Sequence, residues 1–232
     1  MPEETAKLID AAMNPEARPY EPQGAALDLF YCQANEILIE GPAGTGKTRA
    51  VLEKAHLVCQ AVPNIRVLLV RKTRASMTQS VLITFEGKVL PENAPLCRGM
   101  DRAHRQSYHY PNGSELVLGG LDNVDRIMSS EYDMICVFEA TEITEDDWEK
   151  LLTRCRNHVL DYQQAIADCN PDAPVHWLNQ RANKGMMVRL LSRHTDNPAV
   201  TPEYLERLSR LTGHRKDRLY LGRWVAAEGL VY

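Results

Sequence analysis

Apolar side chains along this chain of 232 residues alternate between helical spacing and short uninterrupted runs, the pattern of stacked strand–helix units. Residues 23–34 (QGAALDLFYCQA) have helical spacing, and EILIE at 36–40 is a short buried-strand pattern leading straight into a glycine-rich turn. A helix is predicted from about Lys47 to Ala61. The β-branched run IRVLLVR at 65–71 reads as a central parallel strand, with a second helix over about 74–90. In SYHYPNGSELVLGG, 107–120, Asn112-Gly113 between two alternating segments predicts a hairpin. Further strands are expected at 134–138 (MICVF), 163–169 (QQAIADC) and 187–193 (MVRLLSR). Thr144-Glu145-Asp146-Asp147 fits a capping box opening a helix through about Arg156. The tail from Pro202 to Trp224 reads as helical, interrupted near Gly213. There is no internal repeat and no flexible linker, so residues 1–232 are expected to form a single domain, with 1–20 as an N-terminal extension.

One motif carries chemistry on its own. Gly41-Pro42-Ala43-Gly44-Thr45-Gly46-Lys47-Thr48 satisfies GxxxxGK[ST] between a predicted strand and a predicted helix, the context of a phosphate-binding P-loop. The glycines let successive backbone N–H groups point at phosphate oxygens, and the following helix adds its positive N-terminal end. Lys47 is expected to bridge the β- and γ-phosphates of ATP and the Thr48 hydroxyl to bind Mg²⁺, with Arg49 beside them. Upstream, the Gln23 amide is placed to read an adenine edge and Tyr20 to stack on the base. Alternatively, Gln23 is simply a helix N-terminal residue.

A P-loop ATPase also needs an acid for the metal and another for the attacking water, delivered by the end of a second strand. MICVFEATE is the one convincing candidate. It puts Glu139 where the water-polarising base belongs, and Phe138 where a metal-holding acid is usual. Either Glu139 also serves the metal, or Mg²⁺ is held by Thr48, phosphates and waters; the bland reading of Glu139 is a helix-start acid. Asn170, after the next apolar strand, fits a γ-phosphate sensor or an Asn-Pro turn initiator. Arg126 is either an arginine finger for a neighbouring subunit or a surface partner of Asp122 or Asp125.

Composition adds limits rather than chemistry. With 44% apolar and 25% charged residues the chain is an ordinary globular one, without an apolar run of membrane-spanning length. MPEETAKLID has no secretory pattern, and the six scattered cysteines form no CxxC pair, so a reducing cytosol is expected. The net charge of −4 is uneven: residues 175–232 carry +5. That basic end suits a polyanion such as DNA, or is a solvated helical surface.

With these residues placed, the chain resembles the N-terminal ATPase domain of a phage terminase large subunit. The likeness runs from Gln23 to Tyr232 and rests on the P-loop, VRKTRASM (70–77), GLDNVDRIMSSEYD (120–133), EATEITEDDWEKLLTR (139–154), ADCNPDAPVHWL (167–178) and LYLGRWVAAEGLVY (219–232). It implies an α/β P-loop NTPase fold of the additional-strand catalytic-glutamate type, with a mainly parallel sheet and a β-hairpin insertion. Glu139 matches the catalytic glutamate, Asn170 the coupling residue and Arg126 the region of a trans-acting arginine. Implied partners are double-stranded DNA contacted without sequence preference, a portal protein, a small terminase subunit and further copies in a ring on the prohead, in the host cytoplasm; an isolated domain would be monomeric. The family's nuclease domain would begin about where this chain stops, so no nuclease activity is expected. Two residues depart from the family: Phe138 replaces the usual acid, and Ala43 stands where many terminases carry a P-loop arginine. Rival readings are a PhoH-like or helicase-like ATPase, or a nucleotide-binding module with little hydrolysis.

Overall fold

A computed structural model describes residues 20–227; positions 1–19, most of the expected N-terminal extension, and 228–232 lie outside the described residues. Seven strands form one sheet in the order β3-β4-β2-β5-β6-β1-β7. They are β1 (Glu36–Glu40), β2 (Arg66–Arg71), β3 (Ser107–His109), β4 (Glu115–Gly120), β5 (Met134–Phe138), β6 (Gln164–Cys169) and β7 (Val188–Leu191). All neighbours pair in parallel except β3 with β4, the hairpin predicted around Asn112-Gly113. Its second strand also pairs with β2, so the hairpin is the continuation of the main sheet.

Strands buried on both faces need helices on both. One face is covered by α1 (Ala25–Tyr31), α2 (Lys47–Ala61) and a helical stretch over 74–89, around a core that includes Ile37, Ile39, Val51, Leu69, Phe85 and Phe138. The opposite face packs α3 (Val124–Met128), α4 (Glu145–Leu152) and α5 (Trp177–Asn183) around Leu38, Val70, Val137, Trp148 and Ala167. Odd and even positions of each strand thus feed different cores.

Two expectations change in detail. The 74–89 stretch alternates α and π turns, with π segments at Met77–Val81 and Phe85–Val89. The helix opened by the Thr144/Asp147 capping box is present but ends at Leu152, well short of Arg156. The tail holds α6 (Pro202–Ser209) and α7 (Gly213–Leu219), separated where Gly213 predicted a break.

The opposite face is pinned by charge. Arg181 is buried and donates to both Glu36 carboxylate oxygens (2.7 and 3.0 Å) and to Glu145 and Glu149, while Trp148 Nε1 donates to Glu36 at 2.8 Å. Arg189 likewise pairs with buried Glu40 at 2.8 Å, and Arg218 with Asp172. Several cations of the basic C-terminal part are therefore structural; those left exposed include Lys184, Arg193, Arg207 and Arg215.

Candidate active site

The P-loop leaves the carboxyl end of β1, where ligands bind in open parallel sheets. Gly44 (φ 81°) and Gly46 (φ 88°) take left-handed backbone conformations, and a Cβ on Gly44 would lie 2.5 Å from the Tyr204 ring. Lys47 opens α2, and its Nζ donates to the carbonyls of Gly41 (3.0 Å) and Pro42 (2.8 Å) and to Asn170 Oδ1 (3.0 Å). Burial pushes its pKa below the ordinary lysine value, and the carboxylate of Asp168 is the first charge to oppose that. A cleft of about 650 Å³ opens here, lined by Ala43 through Arg49, by Tyr20 and Gln23, and by Glu139, Asp168 and Asn170. Residues from three strand ends, far apart in sequence, thus meet in one place.

Glu139 follows β5 directly with φ 50° and ψ 51°, a left-handed conformation that costs a non-glycine residue about 1 kcal/mol or more. Burial raises its carboxyl pKa, the neighbouring Asp168 raises it further, and Arg71 and Lys47 oppose both. Asn170 follows β6 and reaches Lys47 directly, so its side chain does more than start a turn. Gln23 and Tyr20 line the cleft, and one face of the Tyr20 ring is covered by the Arg49 guanidinium, 4.6 Å from the ring centroid. Arg49 is itself held by Glu53 at 3.0 Å.

Arg126 does not join this group. It sits on α3 after β4, exposed, and four strand positions from β1, roughly 19 Å at about 4.8 Å per strand. Nor does it pair with its neighbours in sequence: Asp122 instead accepts from the Arg74 backbone N–H at 3.0 Å, and no ion pair of Arg126 occurs among the described residues. In the basic loop after β2, Arg71 pairs with Glu142 and Arg74 donates to the Arg105 carbonyl, leaving Lys72 exposed.

Several residues of the site carry no functional signal in the sequence. Asp168, near the end of the β6 run, accepts a 2.6 Å hydrogen bond from Thr48 Oγ1 and is buried. His194 Nε2 lies 3.0 Å from the Ala43 carbonyl, and Asn197 Nδ2 donates to the Gly44 carbonyl at 2.7 Å, so the segment after β7 braces the P-loop from outside. The Ala43 N–H donates to the Leu219 carbonyl at 2.9 Å, tying the loop to α7. Only the period of β6 could have pointed to Asp168; nothing local marks the others. No group of three or more His, Cys, Asp or Glu placed for a metal occurs among the described residues. The oxygen donors near Thr48 are those a hard cation such as Mg²⁺ takes while keeping waters, so the residues fit that ion.

The family model described as "Phage terminase large subunit" matches residues 33–201. The chain belongs to that family. Its fold agrees with solved structures of terminases: the large terminase of a thermophilic bacteriophage (TM-score 0.72, 18% identity, 89% of this chain and 54% of that one) and the large terminase ATPase domain of Thermus phage P74-26 (TM-score 0.65, 17% identity, 90% and 96%). A structure of the first of these proteins in complex with ATP-gamma-S is also similar (TM-score 0.68, 17% identity, 88% and 53%). This terminase chain spans about half the length of that thermophilic-phage protein. No curated protein matches it. Family membership sets aside the PhoH-like and helicase-like readings, and β6 between β1 and β5 is the additional strand of the expected fold.

Proposed function

We propose that this chain is an ATPase motor domain that drives double-stranded DNA into a phage prohead. The observation that carries the reading is the meeting of Lys47, Glu139 and Asn170 in one cleft over a fully formed P-loop. The P-loop N–H groups and the start of α2 bind the phosphates, and Lys47 turns from its loop carbonyls to the β- and γ-phosphates. Glu139 orients the attacking water and accepts its proton, and its raised pKa is suited to that exchange. Mg²⁺ neutralises phosphate charge when bound, with Thr48 on its protein side. Asn170, hydrogen-bonded to Lys47, senses loss of the γ-phosphate. The thermophilic-phage terminase in complex with ATP-gamma-S supports a nucleotide at this site.

Arg126, too far from its own P-loop, acts on a neighbour's nucleotide as an arginine finger, which requires a ring of copies on the portal and leaves the isolated domain monomeric. DNA contacts are to phosphates and sequence-independent, with exposed Lys72 and the exposed cations of the C-terminal part as contributors. A small terminase subunit supplies recognition, and the work is done in the host cytoplasm. Among the described residues, no helix is long and apolar enough to cross a membrane. Phosphate release from Mg²⁺-ATP, present in the wild type and absent in Lys47→Ala, tests the ATPase reading; DNA-stimulated release tests the link to DNA.

A further inference from the structure

The carboxylate expected at position 138 has a replacement one strand away. Phe138 and Asp168 are register partners in the parallel pair β5·β6, so their side chains emerge from the same face of the sheet. That face is the one α2 covers: Phe138 and Ile166 belong to the same core as Val51 and Ala55. The strand order β5-β6-β1 puts β6 next to the P-loop strand, so a carboxylate on β6 lies about 4.8 Å nearer that loop than one on β5. Phe138 is packed in the core at 1% exposure, while Asp168, 3% exposed, accepts from Thr48 Oγ1 at 2.6 Å. A buried carboxylate is costly unless it has work or partners. Its partners here are the Thr48 hydroxyl and the positive charges of Lys47 and Arg71.

We propose that Asp168 is the acidic partner of the divalent cation in this chain, taking with Thr48 the role the family gives to the residue at 138. The inference rests on the nucleotide-binding reading above. It frees Glu139 from the double duty that the sequence alone left open: Glu139 serves the water and Asp168 the metal. It also explains how Phe138 is tolerated. An apolar side chain at 138 fills the core beneath the site, and the charge it lacks is supplied from the adjacent strand.

The test uses the Mg²⁺ dependence of nucleotide binding, without turnover. Affinity for a fluorescent ADP is measured with excess Mg²⁺ and with chelator, and Mn²⁺ bound with ADP is counted by electron paramagnetic resonance, in the wild type, Asp168→Asn and Glu139→Gln. Asn is nearly isosteric and still accepts from Thr48, so a purely structural Asp168 predicts no change. The expected result is an Asp168→Asn affinity within twofold of wild type in chelator, at least a tenfold loss of the Mg²⁺ enhancement, and loss of bound Mn²⁺. Glu139→Gln keeps both. An undiminished enhancement in Asp168→Asn, or an equal loss of affinity with and without Mg²⁺, overturns the proposal. Loss of the enhancement in Glu139→Gln alone gives the metal to Glu139 and also overturns it. Should Asp168→Asn lose its thermal transition, Asp168→Glu takes its place: a threefold or greater rise in the Mg²⁺ needed for half-maximal enhancement supports the assignment, and an unchanged requirement overturns it. A wild type that binds no nucleotide fails the underlying reading, a result distinct from all of these.

Discussion

Lys47 Nζ and Asn170 Oδ1 are 3.0 Å apart, joining the P-loop after β1 to the end of β6 by a charge-assisted hydrogen bond. The lysine that would hold the γ-phosphate thus shares its donors between that phosphate and a residue whose strand leads on to Asp172, which pairs with Arg218 of α7. Replacing Asn170 with Ala removes the bond but no phosphate-binding group. ADP affinity should change less than threefold, while steady-state hydrolysis falls by about 10- to 100-fold, the range of one hydrogen bond to a charged group. Equal losses in both would make Asn170 part of the binding site instead.

Arg126 stands at the same carboxyl edge of the sheet as the P-loop but four strands away. If it completes a neighbour's site, Arg126→Ala and Glu139→Gln should each be inactive alone and regain activity when mixed, because one mixed interface then holds a wild-type Glu139 and a wild-type Arg126. Fingers of this kind contribute about 10³- to 10⁵-fold. Specific activity should also rise with protein concentration. Mixtures that stay inactive at concentrations where the wild type turns over would remove Arg126 from the mechanism.

The stacked pair Tyr20 and Arg49 borders the cleft, and the guanidinium lies 4.6 Å from the ring centroid. Tyr20→Ala takes away an apolar wall for the base and loosens Arg49. Affinity for ADP should fall about 5- to 100-fold, as loss of one stacking contact does, with affinity for tripolyphosphate unchanged. Comparable losses for both ligands would mean that the pair only supports the loop.

A different prediction concerns stability. His56 is buried against Phe85 and Tyr110, its Nδ1 lies 2.7 Å from the Tyr110 hydroxyl, and burial pushes its pKa down to about 4. The unfolded value is about 6.5. The folded state therefore holds the neutral ring longer than the unfolded chain does, and stability from His56 is complete above about pH 6.5 and declines as pH falls from there towards 4. The loss amounts to about 3 kcal/mol. Thermal unfolding of the wild type should drop more steeply between pH 6.5 and 4.5 than that of His56→Gln; parallel curves would place the acid sensitivity elsewhere.

How much of this was legible beforehand depends on the range of the interactions. Strands β1 and β5 and helix α2 stand where the apolar runs and the glycines around them placed them, because each is bounded by local turn chemistry. The P-loop is equally local: spacing alone brings Gly44, Gly46 and Lys47 together. Asp168 was hidden because its importance comes from strand order. Its period-2 position beside Ile166 says which face it shares, but only the placing of β6 between β5 and β1 brings that face to Thr48. His194 and Asn197 brace the P-loop through contacts more than 150 residues apart in sequence, which no periodicity encodes. The π turns in 74–89 arise from slipped backbone hydrogen bonds inside a helix whose apolar spacing looks ordinary.

In the proposed mechanism Glu139, held in a left-handed conformation at the end of β5, turns a nucleotide-binding loop into a hydrolase. The most direct measurement is binding and single-turnover cleavage of Mg²⁺-ATP by Glu139→Gln beside the wild type. The expected result is ATP affinity within threefold of wild type and cleavage slower by about 10²- to 10⁴-fold, the contribution of a positioned general base. A wild type that binds ATP without cleaving it at any protein concentration, or a Glu139→Gln variant that cleaves at the wild-type rate, would contradict it.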